Sequence, residues 1–179
     1  ETSGALLVWR PAYLSALEGL RKAKGKAIYP DANSTLRVSF ATVKGYSPHE
    51  AVTYTPRTSL KGVLEKEKGV EPFATPRKVL DAARAGNYGT WADERLGSVP
   101  VGFLTDGDTT GGNSGSPTMN GSGEVVGLNF DRVWENVAGD FGWSPERSRN
   151  VNVDLRYALW MMERVDGAAA LVKELLPSR

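Results

Sequence analysis

The stretch Gly111-Gly112-Asn113-Ser114-Gly115-Ser116-Pro117 limits what this chain can fold into more than any other. Glycine disfavours helix and strand interiors, and proline removes a backbone donor. The run suits a tight loop whose N–H groups point inward. Such a concave set of donors can hold a developing negative charge. A serine at its centre is then a candidate nucleophile. The plain alternative is an ordinary Gly/Ser turn, and composition alone does not separate the two. A strand is expected directly after it, from Thr118 to Asn120.

Other features narrow the function classes. The 179 residues suffice for one domain with a core. With 22 Lys and Arg against 21 Asp and Glu, no basic face is implied, which argues against a nucleic-acid partner. Cysteine is absent, so disulfides and thiolate metal sites are excluded. One histidine cannot make a histidine-rich metal site, and no metal or cofactor is expected. No apolar run reaches the roughly 18 residues of a membrane span. The chain opens on Glu1 with no signal peptide, and reads as the mature or truncated part of something longer.

Along the chain, Pro11 to Lys24 reads as a helix, with Pro11 in the first turn, Leu14, Leu17 and Leu20 on one side, and Gly25 as its stop. Pro30 to Ser34 is a turn. Leu36, Val38 and Phe40 alternate with Arg37, Ser39 and Ala41 at the period of a half-buried strand. Ala51 to Thr55 is a weaker strand, and Leu60 to Lys68 is ambiguous. Thr75-Pro76 looks like an N-cap and first turn for a short helix carrying Val79, Leu80 and Ala83 and stopped by Gly86. Val99 to Leu104 is a strand leading to the serine loop. Gly123 to Phe130 is a turn and strand. Asp154 to Val165 and Ala168 to Leu176 are helices. The glycan acceptor patterns at Asn33 and Asn120 are common by chance and carry no weight.

The order of residues in the loop adds a resemblance. Gly112-Asn-Ser-Gly-Ser-Pro117 is similar to the nucleophile loop of chymotrypsin-like serine peptidases, usually Gly-Asp-Ser-Gly-Gly-Pro. More narrowly, Asp108-Thr-Thr-Gly-Gly-Asn-Ser-Gly-Ser-Pro117 followed by Gly127-Leu-Asn-Phe-Asp-Arg132 resembles the bacterial serine dipeptidyl peptidases of the dipeptidyl-peptidase 7 and 11 family. Tyr29 to Val38, Val43 to Tyr46 and Val153 to Tyr157 extend the likeness over nearly the whole chain. The resemblance implies a mainly β fold with helices, the second β-barrel of a chymotrypsin-like double barrel. Residues 1–28 would be the tail of an inserted helical region, and 29–179 the C-terminal barrel with closing helices. It further implies an exported, periplasmic Gram-negative enzyme, with oligopeptides bearing a free N-terminus as partners, an upstream catalytic barrel of the same chain, and a possible homodimer.

The implied chemistry assigns Ser114 as nucleophile and the N–H groups of Gly112 and Ser114 as oxyanion donors. The strand holding Asn129 and Phe130 would line the pocket. Asp131 matches the family position that takes the substrate's amine. Arg132 would select Asp or Glu before the cut bond, where relatives preferring apolar residues have Gly. A guanidinium fork suits a carboxylate bidentately. Asn113 stands where many relatives carry an Asp, and Ser116 where they carry Gly. The sole histidine, His49, is out of chain order for the general base, so the triad partners are expected upstream of Glu1. Two rivals remain. Asp108 could select basic residues in a trypsin-like endopeptidase, although a role as acceptor within the loop is the stronger reading. Or the chain could be a peptide-binding module without chemistry.

Overall fold

The computed structural model describes residues 2–26, 35–139 and 142–176. They divide into two compact units, residues 1–38 and 39–179. The expected turn at Pro30 to Ser34 and the glycan pattern at Asn33 lie outside the described residues.

The first unit is built on α1, Thr2–Ala23. It begins well before the expected start and carries Pro11 inside rather than in its first turn. Ala5, Leu6 and Leu7 are strong helix formers, and they carry the helix across the one bond that proline removes. Its C-terminus is the expected one. Gly25 has φ 62°, Gly25 N donates to Lys22 O, and Lys26 N donates to Arg21 O at 2.9 Å. That double bond pattern needs a left-handed residue, which glycine supplies without strain.

The second unit carries a five-stranded antiparallel sheet: β1 Arg57–Ser59, β2 Pro100–Thr105, β3 Pro117–Met119, β4 Val125–Arg132 and β5 Asn150–Asp154. Their spatial order is β1-β2-β5-β4-β3. The expected mainly β architecture with helices is met, in the form of one sheet with β1 and β3 at its edges. Among the described residues, four α-helices accompany it: α2 Leu60–Lys66, α3 Arg77–Arg84, α4 Leu155–Trp160 and α5 Ala169–Leu175. The helices seal one apolar cluster of Leu60, Val79, Ala83, Val99 and Trp160. Burying each aliphatic side chain of this kind contributes about 1.5–3 kcal/mol. Trp160 keeps its polar edge satisfied by donating Nε1–H to Asn87 O at 2.9 Å.

Where β5 passes into α4, Asp154 accepts from Arg156 N at 3.1 Å and caps the helix. The same carboxylate, 4% exposed, takes Arg156 Nη2 at 2.9 Å and Arg57 Nη1 at 3.4 Å. A buried carboxylate is costly unless paired in this way. The helix expected from Asp154 to Val165 is therefore present, although its last five residues, Met161–Val165, wind as a wider π turn.

Other expectations are corrected. Thr75 does not cap α3; its N–H donates to Glu67 Oε2 at 2.6 Å, and Pro76 occupies the cap position. Residues 36–41 form no strand, and Leu36, Val38 and Phe40 are exposed. Alternation gives a strand its face, but a ladder also needs a neighbour, and here only Val43 bridges to Thr105. Ala51 to Thr55 likewise reduces to a bridge between Tyr46 and Tyr54. The ambiguous Leu60 to Lys68 segment is α2.

Strand β5 escaped the sequence pattern because its polar side is the buried one. Asn150, Asn152 and Asp154 are at most 5% exposed, while Val151 and Val153 are half-buried. The asparagines are bonded into a cross-strand ladder. Thr118 Oγ1 donates to Asn152 Oδ1 at 2.8 Å, and Asn152 Nδ2 donates to Phe103 O at 3.3 Å. Removing one partner of a buried bond costs about 1–3 kcal/mol. Asn152→Ala is therefore expected to lower unfolding stability by that amount in chemical denaturation. A loss under about 0.5 kcal/mol, the size of an ordinary surface change, would show that the ladder adds nothing.

Candidate active site

The loop between β2 and β3 is held at both ends. At its start, Asp106 exchanges backbone and side-chain bonds with Thr42: Thr42 N donates to Asp106 Oδ1 at 2.7 Å, and Asp106 N to Thr42 O at 3.1 Å. Trp143 Nε1 donates to Asp106 O at 3.0 Å. The acceptor role expected of Asp108 thus belongs to Asp106. The Asp108 side chain is exposed and, among the described residues, accepts no hydrogen bond; only its backbone carbonyl is used, by Ser39 Oγ at 3.3 Å.

In the middle, Asn113 shapes the turn. Its Oδ1 accepts from Thr110 N at 2.8 Å, its N–H donates to Thr110 O at 3.2 Å, and its carbonyl accepts from Ser116 N at 3.0 Å. A neutral amide therefore does a local structural job at this position. Gly112 takes φ 97°, a conformation closed to most side chains, which is why the loop needs glycine there. Ser116 has no such φ, so a side chain sits at this position without strain.

At its end, the loop is clamped to β4 through one residue. Gly115 N donates to Asn129 O at 2.8 Å, and Asn129 N donates to Ser116 O at 2.9 Å. The Asn129 carboxamide is buried and accepts from Asn150 Nδ2 at 2.7 Å, while Asn150 Oδ1 accepts from the Thr105 hydroxyl. Asn129 therefore serves the loop through its backbone, and its side chain is committed to the sheet.

This frame presents Ser114 to solvent with its hydroxyl donating to Phe130 O at 3.3 Å. Among the described residues, neither the Gly112 N–H nor the Ser114 N–H has an acceptor. Both N–H groups are thus left without an acceptor within the loop that carries the exposed hydroxyl. His49 lies elsewhere in its bonding: it is exposed, and its Nδ1 is 3.2 Å from Glu50 O.

Asp131 and Arg132 belong to β4 itself rather than lying beyond it. Pairing with β5 slips between Asn129 and Asp131, so Phe130 is an extra residue opposite no partner. Such a bulge bends the strand and re-aims the side chains after it. Asp131 Oδ1 accepts from Arg132 N at 2.7 Å, and its Oδ2 has no partner among the described residues. Arg132 is half-buried, and its Nη1 lies against Gly139. Sequence reasoning singled out Ser114, Asp131 and Arg132 and gave no sign of the Asn129 backbone clamp or the turn around Gly139, both of which depend on tertiary approach. Among the described residues, no three metal-ligating side chains come together, and no helix is long and apolar enough to cross a membrane.

A family model for peptidase S46 matches residues 1–177. The chain belongs to the peptidase S46 family. It is 43% identical over 96% of its length to an Asp/Glu-specific dipeptidyl-peptidase of Shewanella putrefaciens, covering 26% of that protein. It is 40% identical over 88% of its length to dipeptidyl-peptidase 7 of Porphyromonas gingivalis, covering 22% of it. The crystal structure of Porphyromonas endodontalis DPP11 in complex with the dipeptide Arg-Asp superposes with a TM-score of 0.81 at 41% identity, over 89% of this chain and 23% of that one. This S46 chain thus spans about a quarter of the length of the relatives it matches.

Proposed function

We propose that this S46 chain is the nucleophile-bearing part of a longer serine dipeptidyl peptidase, which releases dipeptides from free N-termini and prefers Asp or Glu before the cut bond. One observation carries the reading. The Ser114 hydroxyl rests on the Phe130 carbonyl, and the next two residues are Asp131 and Arg132. Nucleophile, acidic amine acceptor and cationic selector are thereby brought to one bulge.

In this mechanism Ser114 Oγ attacks the scissile carbonyl. The oxyanion settles between the Gly112 and Ser114 N–H groups, each donor contributing about 2.7–4 kcal/mol in the transition state. The Asp131 Oδ2 receives the substrate ammonium, which fixes the cut two residues from the N-terminus. The Arg132 guanidinium receives the acidic side chain. The base that takes the Ser114 proton and its acidic partner come from the part of the longer protein outside this chain, since the His49 ring is engaged with its own loop.

The exopeptidase part is tested at Asp131. Asp131→Asn keeps the shape and removes the charge that holds the ammonium. The specificity constant for free-amine dipeptidyl substrates is expected to fall at least about tenfold, a loss of about 1.4 kcal/mol. Cleavage of N-acetylated peptides as readily as free ones by the parent enzyme would remove Asp131 from this role.

A further inference from the structure

After β4 the chain coils tightly back upon itself. Trp134–Asn136 is a 3-10 turn, Val137 N donates to Trp134 O at 3.1 Å, and Gly139 N donates to Asn136 O at 2.9 Å. This brings Gly139 against the Arg132 side chain. A Cβ at Gly139 would stand 3.0 Å from Arg132 Nη1 and 2.6 Å from Asn136 Oδ1. Real Cβ atoms essentially never come as close as the Asn136 contact, and the guanidinium end would have to give by a few tenths of an ångström, so it takes up part of the space that a larger residue at 139 would use.

The turn is fastened from beneath by buried groups. Asn136 is 6% exposed, and its Oδ1 accepts from Ser148 Oγ at 2.9 Å. Ser148 is 1% exposed, and its Oγ accepts from Ser144 N at 2.8 Å. Next to it, Arg149 donates Nε–H to Gly45 O at 3.1 Å and lies over the Tyr46 ring. Tyr46 OH donates to Glu135 Oε2 at 2.6 Å, and burial together with this bond raises the phenol above its ordinary range. Glu135, next in sequence to the exposed Trp134, is thereby tied down instead of left to swing. Buried, hydrogen-bonded groups of this kind fix a turn in one conformation.

We propose that the turn Trp134–Gly139 is the positioning element for Arg132, and that Gly139 is a specificity-determining position because its missing side chain leaves the seat for the guanidinium. The inference rests on the assignment of Arg132 as selector of acidic side chains. A guanidinium that must meet a carboxylate with two parallel bonds tolerates little displacement. Misplacing a positioned group by about 1 Å can cost up to about 10²-fold in rate.

The test is Gly139→Ala in the full-length enzyme. Gly139 has no left-handed φ, so alanine strains no backbone there. The Arg132 end is flexible and need give only a few tenths of an ångström, whereas the closer Asn136 carboxamide is buried and bonded to Ser148, so stability of the variant is measured beside its activity by chemical denaturation. Discrimination between acidic and apolar substrates is expected to fall at least about tenfold, with the apolar specificity constant within about threefold of the parent. In an Arg132→Ala background, adding Gly139→Ala is expected to change neither class, because contacts that act through one group are not additive. Tyr46→Phe, which frees Glu135 and leaves the packing, is expected to lower discrimination in the same direction by a smaller factor, and keeps the test open should Gly139→Ala not fold. Equal losses for both classes, an effect that persists without Arg132, or unchanged discrimination in both variants would overturn the positioning role. If Arg132→Ala alone leaves discrimination intact, the assignment beneath it falls first, and the positioning role falls with it.

Discussion

Replacing Ser114 by alanine in the full-length enzyme is expected to lower kcat on the order of 10⁶-fold, the scale at which a serine nucleophile is lost from a triad. The fold is expected to stay within about 0.5 kcal/mol of the parent, as for other substitutions at exposed positions. Ser114 is exposed, and its hydroxyl makes one long contact, 3.3 Å to Phe130 O. The loop is shaped by other groups: the Asn113 side chain, the Gly112 backbone and the Asn129 clamp. None of these uses the Ser114 hydroxyl, so binding of a product dipeptide should persist in the variant while turnover does not. A serine-directed phosphonate should label the parent at Ser114 and leave the alanine variant unmodified. Labelling at Ser116 instead would move the nucleophile, and retained turnover would end the serine mechanism.

The parts of the site that were legible in the sequence are those whose chemistry is local. Gly112 and Gly115 announce a loop because their backbones have φ 97° and 83°, and Ser114 stands between them. Asp131 and Arg132 announce charge beside an extended segment. The rest was not legible because it depends on which face the fold buries. β5 carries Asn150, Asn152 and Asp154 inward, so its polar residues mark the interior and reverse the usual reading of alternation. The bulge at Phe130 comes from register with β5, which one strand's sequence does not contain. Asp108 and Asp106 are equally plausible as loop acceptors in a string of letters; only the approach of Thr42 decides between them. Leu36, Val38 and Phe40 show the converse, a good strand pattern with no ladder beside it.

Arg132→Ala is expected to lower the specificity constant for acidic substrates by at least about thirtyfold. Truncating one partner of a desolvated charge pair costs about 2–5 kcal/mol, and about 1.4 kcal/mol corresponds to tenfold. The seat is suited to such a pair. Arg132 is half-buried and its Nη1 lies against Gly139, so a pair formed there is partly desolvated. Apolar substrates are expected to be unaffected or improved, because their side chains gain nothing from the charge and must desolvate it. Arg132→Gly is expected to move the preference toward apolar residues by emptying the seat altogether. A guanidinium that only decorates the surface gives another result: both substrate classes shift together, within about a factor of two, as for an exposed ion pair. Specificity constants for both classes, measured on the parent and both variants, separate these outcomes. Discrimination that survives the loss of Arg132 would overturn the assignment and return the exposed carboxylate of Asp108 as the group that selects the side chain before the cut bond.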